Sequence, residues 1–152
     1  MVKFDIPGMP PSINHAWFNL PKGGRSLKPA GKKYKNEVQV LLAQKYPKEL
    51  QTFHKHEPYL VFFRIHVSAL ENATWGAAKN AAENRYKKND VTNRIKILED
   101  VISEVTGVDD ASTMTFLIQK VQATPVTNEK IEVFIWNTYR EESPFDEPLS
   151  RL

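Results

Sequence analysis

The sequence predicts an α/β fold of the α+β type: a single domain with a mixed sheet and two main helices packed on it. Three observations carry this. Apolar periodicity runs in the order strand, helix, strand, helix, strand, strand. The two helical stretches flank a long run rich in Phe, Val and Ile. And 152 residues with no internal repeat and no linker composition make one ordinary domain with a substantial core.

The elements follow in order. Val2 to Ile6 alternates apolar and polar residues, as an opening strand does. Pro7-Gly8-Met9-Pro10-Pro11-Ser12 halts regular structure, and Pro21 to Gly24 is a second turn signal. Ala30 to about Lys45 has helical spacing, with Tyr34, Val38, Leu41 and Leu42 on one side and Lys32, Lys33 and Lys35 elsewhere; Pro47 ends it. Tyr59 to Ala69 reads as a long strand. Glu71 to Lys88 mixes Ala77, Ala78, Ala81 and Ala82 with Asn, Lys and Glu, and both a short helix and a loop stay open there. Asp90 to Val105 is the clearest helix, and Gly107 ends it. Thr115–Ala123 and Lys130–Asn137 are strands joined by a turn through Pro125 and Asn128; an antiparallel hairpin is their simplest pairing. The domain is expected to span 1–140, and the acidic, proline-containing stretch 141–152 to be a loose tail.

Composition narrows the chemistry. With no cysteine there are no disulfides, thiolate zinc sites or cysteine nucleophiles, so any metal site must use Asp, Glu, His or carbonyl oxygen. No apolar run is long enough to span a membrane and the first residues lack a secretory signal, while the absence of cysteine fits a cytoplasmic setting. Net charge is +3, unevenly spread: residues 1–48 carry +7, 49–140 carry −1 and 141–152 carry −3. Clustered cations attract phosphate, so a polyanionic partner and a solvated lysine-rich helix face both explain the basic third.

The informative segment is Lys87-Lys88-Asn89-Asp90-Val91-Thr92-Asn93-Arg94-Ile95-Lys96-Ile97-Leu98-Glu99-Asp100, followed by Gly107-Val108-Asp109-Asp110. Val91, Ile95, Leu98, Ile102 and Val105 fall within an arc of about 80° on a helical wheel, and Asp90, Asn93, Lys96 and Asp100 within about 120° on another side. In one reading Asp90 is an N-cap, Lys96 and Asp100 form an i,i+4 surface pair, and Asp109-Asp110 is a polar turn. In the other, Asp90 and the Asp109/Asp110 pair converge on a divalent cation, which takes hard carboxylate oxygens and serves phosphodiester hydrolysis. Lys96 would then neutralise the pentacovalent phosphate, with Lys87 and Lys88 beside it to hold a backbone.

With these residues in view, the sequence resembles the RusA family of Holliday junction resolvases. The family pattern is a basic stretch, then Asp-x-Asp-Asn-x-x-Lys opening a helix, an Asp one or two turns later, and an Asp-Asp pair after a Gly-containing turn. Asp90, Asn93, Lys96, Asp100, Asp109 and Asp110 match in order and near-spacing. Pro10-Pro11-Ser12-Ile13-Asn14 is similar to the family's Pro-Pro-Ser-x-Asn, and Arg25, Gly31 and Tyr34 to the stretch entering its first helix. The resemblance implies a small homodimeric, magnesium-dependent endonuclease, with manganese as a substitute, cutting four-way junction DNA by paired nicks in a bacterial or phage-infected cell. It implies Asp90 and Asp110 as catalytic metal-binding carboxylates, Asp109 as the adjacent acid, Lys96 as the catalytic lysine, Asp100 as a recurrent acid, and Asn14, Arg25, Lys87 and Lys88 on the DNA side. One departure stands out: the family's second helix acid is Thr92 here, a neutral hydroxyl in place of a carboxylate. The Glu71–Lys88 stretch is also longer than the family loop; Trp75 or Tyr86 stacking on an exposed base, or an insertion with an incidental aromatic, both account for it.

Other candidates are weaker. His15, His54, His56 and His66 show no zinc spacing, and Ser12 has no acid–base partner evident for nucleophilic catalysis. Gly23-Gly24-Arg25 reads as a turn directing Arg25 towards DNA, not a phosphate loop. Phe62, Phe63, Phe116, Phe134 and Trp136 read as core or dimer interface. Three functions follow in order of support: a junction-resolving nuclease, a junction-binding homologue that lost nuclease activity through Thr92, and a phosphohydrolase unrelated to DNA.

Overall fold

The computed structural model describes residues 1–68, 70–71, 92–125 and 128–139, with Ile13, Asn14, Thr92, Asn93 and Asp110 described through their backbone. Its elements are β1 (Val2–Pro7), α1 (Ile13–Ala16), β2 (Trp17–Asn19), β3 (Arg25–Leu27), α2 (Pro29–Lys45), α3 (Pro47–Leu50), β4 (Tyr59–Val67), α4 (Thr92–Thr106), β5 (Thr113–Gln122) and β6 (Lys130–Asn137). A four-stranded mixed sheet has the order β1-β6-β4-β5, and β2 and β3 form a separate two-stranded ribbon. Among the described residues no helix is long and apolar enough to cross a membrane.

The mixed sheet and its two main helices agree with the sequence expectation; the pairing of its last strands does not. β5 lies parallel to β4, from Tyr59 opposite Thr113 to Val67 opposite Gln122. β6 inserts between β4 and β1, antiparallel to both. So β5 and β6 are not a hairpin. A parallel neighbour needs a crossover, and α4 is that crossover. β6 is then the strand that joins β4 to β1.

Strand parity sorts the side chains. Tyr59, Val61, Phe63, Ile65 and Val67 of β4 join Phe4 and Ile6 of β1 and Ile131, Val133 and Ile135 of β6 on one face. Val38 and Leu42 of α2 and Ile95, Leu98, Val101 and Ile102 of α4 close over it. On α4 the buried arc is wider than the helical-wheel arc of about 80° read from the sequence. Ile97 and Val101 are fully buried too, because α2 packs along that flank and Lys35 and Gln39 bond Glu104 across the seam. Gly107 ends α4 at φ 69°, as a C′ glycine does. The last turn is satisfied locally: Thr106 Oγ1 donates to the Ile102 carbonyl at 2.7 Å and Ser103 Oγ to the Val108 carbonyl at 2.6 Å.

Short elements escape periodicity and appear only here. After the Pro10-Pro11 stop, α1 makes one turn, and the β2–β3 ribbon reverses at Gly23 and Gly24 with φ 88° and 85°. α2 then starts at Pro29, whose fixed φ and missing N–H suit a first helical position. Its first turn passes so close to α1 that a Cβ on Gly31 would lie 2.6 Å from the Ala16 carbonyl oxygen and 2.8 Å from Leu27 Cδ2. The Lys28 N–H donates to that same carbonyl at 2.7 Å.

That contact yields a prediction whose sign opposes helix propensity. Gly→Ala inside a helix ordinarily stabilises by about 1 kcal/mol. Gly31→Ala should instead destabilise by about 1–3 kcal/mol, the usual cost of overpacking. The denaturant midpoint should fall; a rise would mean that α1 is not seated on α2 as described.

Candidate functional site

α4 presents a polar strip away from the core. Lys96 lies on it, 51% exposed at the side chain, with Nζ 3.3 Å from Asp100 Oδ1 and 3.9 Å from Glu99 Oε2. The i,i+4 pair anticipated from the sequence is therefore present, and Glu99 joins it. Among the described residues two carboxylates hold this ammonium near the solvent-facing side of the helix. Thr92 and Asn93 form the first turn of the same helix. Asp90, Lys87 and Lys88 lie outside the described residues, as do Trp75 and Tyr86.

The Pro-Pro-Ser segment is brought to this helix. Pro10 is buried, and its carbonyl accepts a hydrogen bond from Arg94 Nη1 at 2.8 Å. α1, which carries Asn14, packs against both α2 and α4. Ser12 precedes α1, and its carbonyl accepts from the His15 and Ala16 N–H groups at 2.9 and 2.8 Å. Ser12 Oγ and His15 Nδ1 also meet at 2.9 Å. So Ser12 does have a histidine partner, i to i+3, in an exposed contact that closes one helical turn. Arg25 is exposed at the start of β3, on the ribbon that connects α1 to α2.

Asp109 and Asp110 sit elsewhere. They follow the far end of α4, where a 3₁₀ turn from Asp110 to Ser112 leads into β5. Asp109 Oδ1 accepts from the Ala111 N–H at 3.1 Å, and Ser112 Oγ donates to the Lys55 carbonyl at 3.1 Å, which pins this turn beside the start of β4. α4 has 15 residues, about 21 Å at 1.5 Å per residue. Thr92 and Asp110 are thus at opposite ends of the helix in one copy of the chain. Among the described residues no three His, Asp or Glu side chains converge as cation donors.

A charged cluster on the opposite face of the sheet is the feature that sequence reading missed. Glu132 is 7% exposed and, among the described residues, faces three cations and an imidazole: Lys3 Nζ at 2.7 Å, Lys130 Nζ at 3.5 Å, Arg64 Nη1 at 3.6 Å and His66 Nε2 at 2.8 Å. Arg64 Nε also donates to Gln119 Oε1 at 3.0 Å. Register makes this cluster, since Asp5, Glu132, Arg64 and Gln119 stand in one row across four strands. Burial opposes ionisation of Glu132. Hydrogen bonds from Lys3 and His66, with the charges of Lys3 and Lys130, outweigh it and hold the carboxyl at about 2.

A folded pKa below the unfolded one stabilises above the unfolded value and is lost as pH falls through the folded value. Glu132 should therefore contribute fully above about pH 5 and lose its contribution towards pH 2, with an upper bound of about 3 kcal/mol. Glu132→Gln should flatten the fall in denaturation free energy between pH 5 and about 2. An unchanged pH slope would remove Glu132 from that role.

With the geometry in place, the comparisons fall on the same residues. A family model described as Endodeoxyribonuclease RusA matches residues 7–135 of the 152. The matched span holds Pro10 to Asn14, Arg25 and the whole run from Lys87 to Asp110. A search of curated proteins returns no match. The chain belongs to the RusA endodeoxyribonuclease family, whose nuclease activity is directed at Holliday junctions.

Proposed function

We propose that this protein is a metal-dependent, structure-selective endonuclease that resolves four-way DNA junctions by paired nicks. The observation that carries it is the family match, which takes in every residue of the Asp90–Asp110 constellation. Residues 1–140 would form the nuclease domain. Magnesium or manganese, held by Asp90 with Asp110 and Asp109, would supply an activated water and Lewis acidity at the phosphodiester. Lys96 would place its ammonium against the charge that builds on phosphorus, with Asp100 orienting it from 3.3 Å. Asn14, Arg25, Lys87 and Lys88 would hold backbone phosphates, which fixes position without reading sequence.

The length of α4 bears on how such a site is assembled. If Asp90, which precedes Thr92 in the sequence, and Asp110 beyond the far end of α4 serve one cation, the chain between them includes about 21 Å of helix from Thr92 to Thr106. Two copies related by a twofold axis would remove the difficulty, the start of α4 in one copy meeting the far end of α4 in the other at each site. A homodimer then supplies two sites, as paired nicks require.

Thr92 supports a second reading, a junction-binding homologue with weakened or lost nuclease activity. A hydroxyl carries no charge, so the cation site has one negative charge fewer than the family pattern.

Labelled four-way junctions incubated with magnesium, manganese or chelator separate these readings, with linear duplex as control. The nuclease reading expects symmetric nicks on the junction, reduced more than about 100-fold in Asp90→Asn and about 100- to 1000-fold in Lys96→Ala. Thr92→Asp should raise the rate. Mixing Asp90→Asn with Asp110→Asn chains should restore nicking of one strand at a time, because a mixed dimer keeps one intact composite site. Salt-sensitive junction binding without nicks in either metal, restored to cleavage by Thr92→Asp, would establish the second reading.

A further inference from the structure

The β2–β3 ribbon has two unlike faces. Its register pairs Trp17 with Leu27, Phe18 with Ser26 and Asn19 with Arg25. Side chains alternate across a strand, so Trp17 and Leu27 share one face while Phe18 and Ser26 share the other, with Leu20 following Phe18. The first face is turned inward. Trp17 and Leu27 are half-buried, and Leu27 Cδ2 reaches the space a Gly31 side chain would take. The second face is bare: Phe18 is 44% and Leu20 41% exposed. Every residue from Phe18 to Arg25 is exposed, so the tip of the ribbon stands clear of the domain. The tip is closed on itself, with the Leu20 N–H on the Gly24 carbonyl and the Gly23 N–H on the Leu20 carbonyl, both at 3.1 Å. One exposed apolar residue is ordinary; Phe18 and Leu20 on one face, with Pro21 exposed next to them, make an apolar ridge.

Charge around the ridge has one sign. From Ile6 to Asn36 the chain carries Lys22, Arg25, Lys28, Lys32, Lys33 and Lys35 and no acid. Lys22 and Arg25 are exposed at the tip, and among the described residues neither meets a carboxylate. Unpaired cations beside exposed apolar groups complement a ligand with phosphates outside and flat apolar surfaces within. Linear duplex offers the phosphates but keeps its bases stacked. Branched DNA interrupts the stack at its exchange point, where a step opens at the least cost. The ribbon is also well placed. It grows from α1, which packs on α4, and Arg94 in the first turn of α4 holds the Pro10 carbonyl just ahead of α1. Ribbon and α4 strip are thus carried by one tied assembly.

We propose that the Phe18–Leu20 face of this ribbon is the contact that selects branched over linear DNA. Phe18, with Leu20 beside it, enters the interrupted base stack at the exchange point, as apolar wedges enter base steps elsewhere. Lys22 and Arg25 hold the flanking phosphates. Selection by stacking makes no hydrogen bond to a base edge and so tolerates any base sequence. The role rests on the junction reading above and names the residues that recognise the branch. An anionic membrane surface attracts the same pairing of cations and apolar groups. DNA is favoured because the ribbon lies inside the span matched to the endodeoxyribonuclease family.

Binding of the full-length chain to a four-way junction and to linear duplex of the same sequences tests it, in chelator so that no strand is cut, with 2-aminopurine at the exchange point. Wild type should prefer the junction and brighten the probe, which fluoresces when unstacked. Phe18→Ala with Leu20→Ala should weaken junction binding by about 5- to 100-fold, the range of an aromatic–base stacking contact, hold duplex binding near the wild-type value and abolish the brightening. Both side chains are exposed, so these substitutions leave the core untouched. Phe18→Trp should keep preference and brightening. Lys22→Gln with Arg25→Gln should instead weaken both DNA forms and flatten their salt dependence. A wild type that binds both forms equally defeats the junction reading and this one with it. A selective wild type whose Phe18→Ala, Leu20→Ala variant is equally selective, or loses both forms alike, overturns this inference alone. So does a variant that loses binding to vesicles of anionic phospholipid while its preference for the junction is unchanged.

Discussion

The parallel pairing of β4 with β5 governs the arrangement of this molecule. Two parallel strands side by side oblige the chain to travel back along the sheet between them, and α4 makes that return trip. Its direction puts Thr92 towards one end of the strands and the Asp109-Asp110 turn at the other. Its apolar residues seal one face, and its remaining strip, with Lys96, Glu99 and Asp100, faces outward. The same helix therefore serves as core and as platform. The chemistry is placed on an element whose orientation the sheet already determines, which is a more exact support than a loop.

The N-terminal motif depends on that helix in turn. Arg94 reaches from α4 to the Pro10 carbonyl, and Gly31 lets α2 approach the Ala16 carbonyl, so α1 is held between two long helices by backbone contacts. A proline-rich segment, which has few N–H groups to offer, is anchored here through its carbonyls. Residues far apart in sequence, at 10–16, 25–31 and 92–96, become neighbours through these few contacts.

Much of this was legible beforehand, and the remainder was hidden for identifiable reasons. Lys130–Asn137, the helix ending at Lys45 and the glycine stop at Gly107 follow from local signals: alternation, a proline and a positive φ. The Lys96–Asp100 pair follows from i,i+4 spacing. Pairing partners do not follow, because β4, β5 and β6 all read as strands and nothing local says which two are neighbours. The Glu132 cluster was invisible for the same reason: its members are ordinary strand charges until register aligns Arg64 with Glu132 and His66 with Lys130. The one-turn α1 and the three-residue β2 and β3 are too short for any periodicity to show. At the site, residue types and order were readable, but which acids share an end of α4 is a matter of helix length and not of composition.

The strand order β1-β6-β4-β5 also bears on how the molecule comes into being. Among the described residues β6 is the last strand in sequence and an interior one, and it carries the pairing that links the first strand to the rest of the sheet. During translation the nascent chain can form α2 and dock β5 on β4 through α4, but β1 has no partner until residues 130–137 leave the ribosome. The aromatic and β-branched segments of the opening strand and of β4 thus stay unsealed until β6 has emerged. Closure of the sheet is a late, long-range event, and a chain stopped before β6 has an exposed edge on β4 and an orphaned first strand, the kind of surface that chaperones hold.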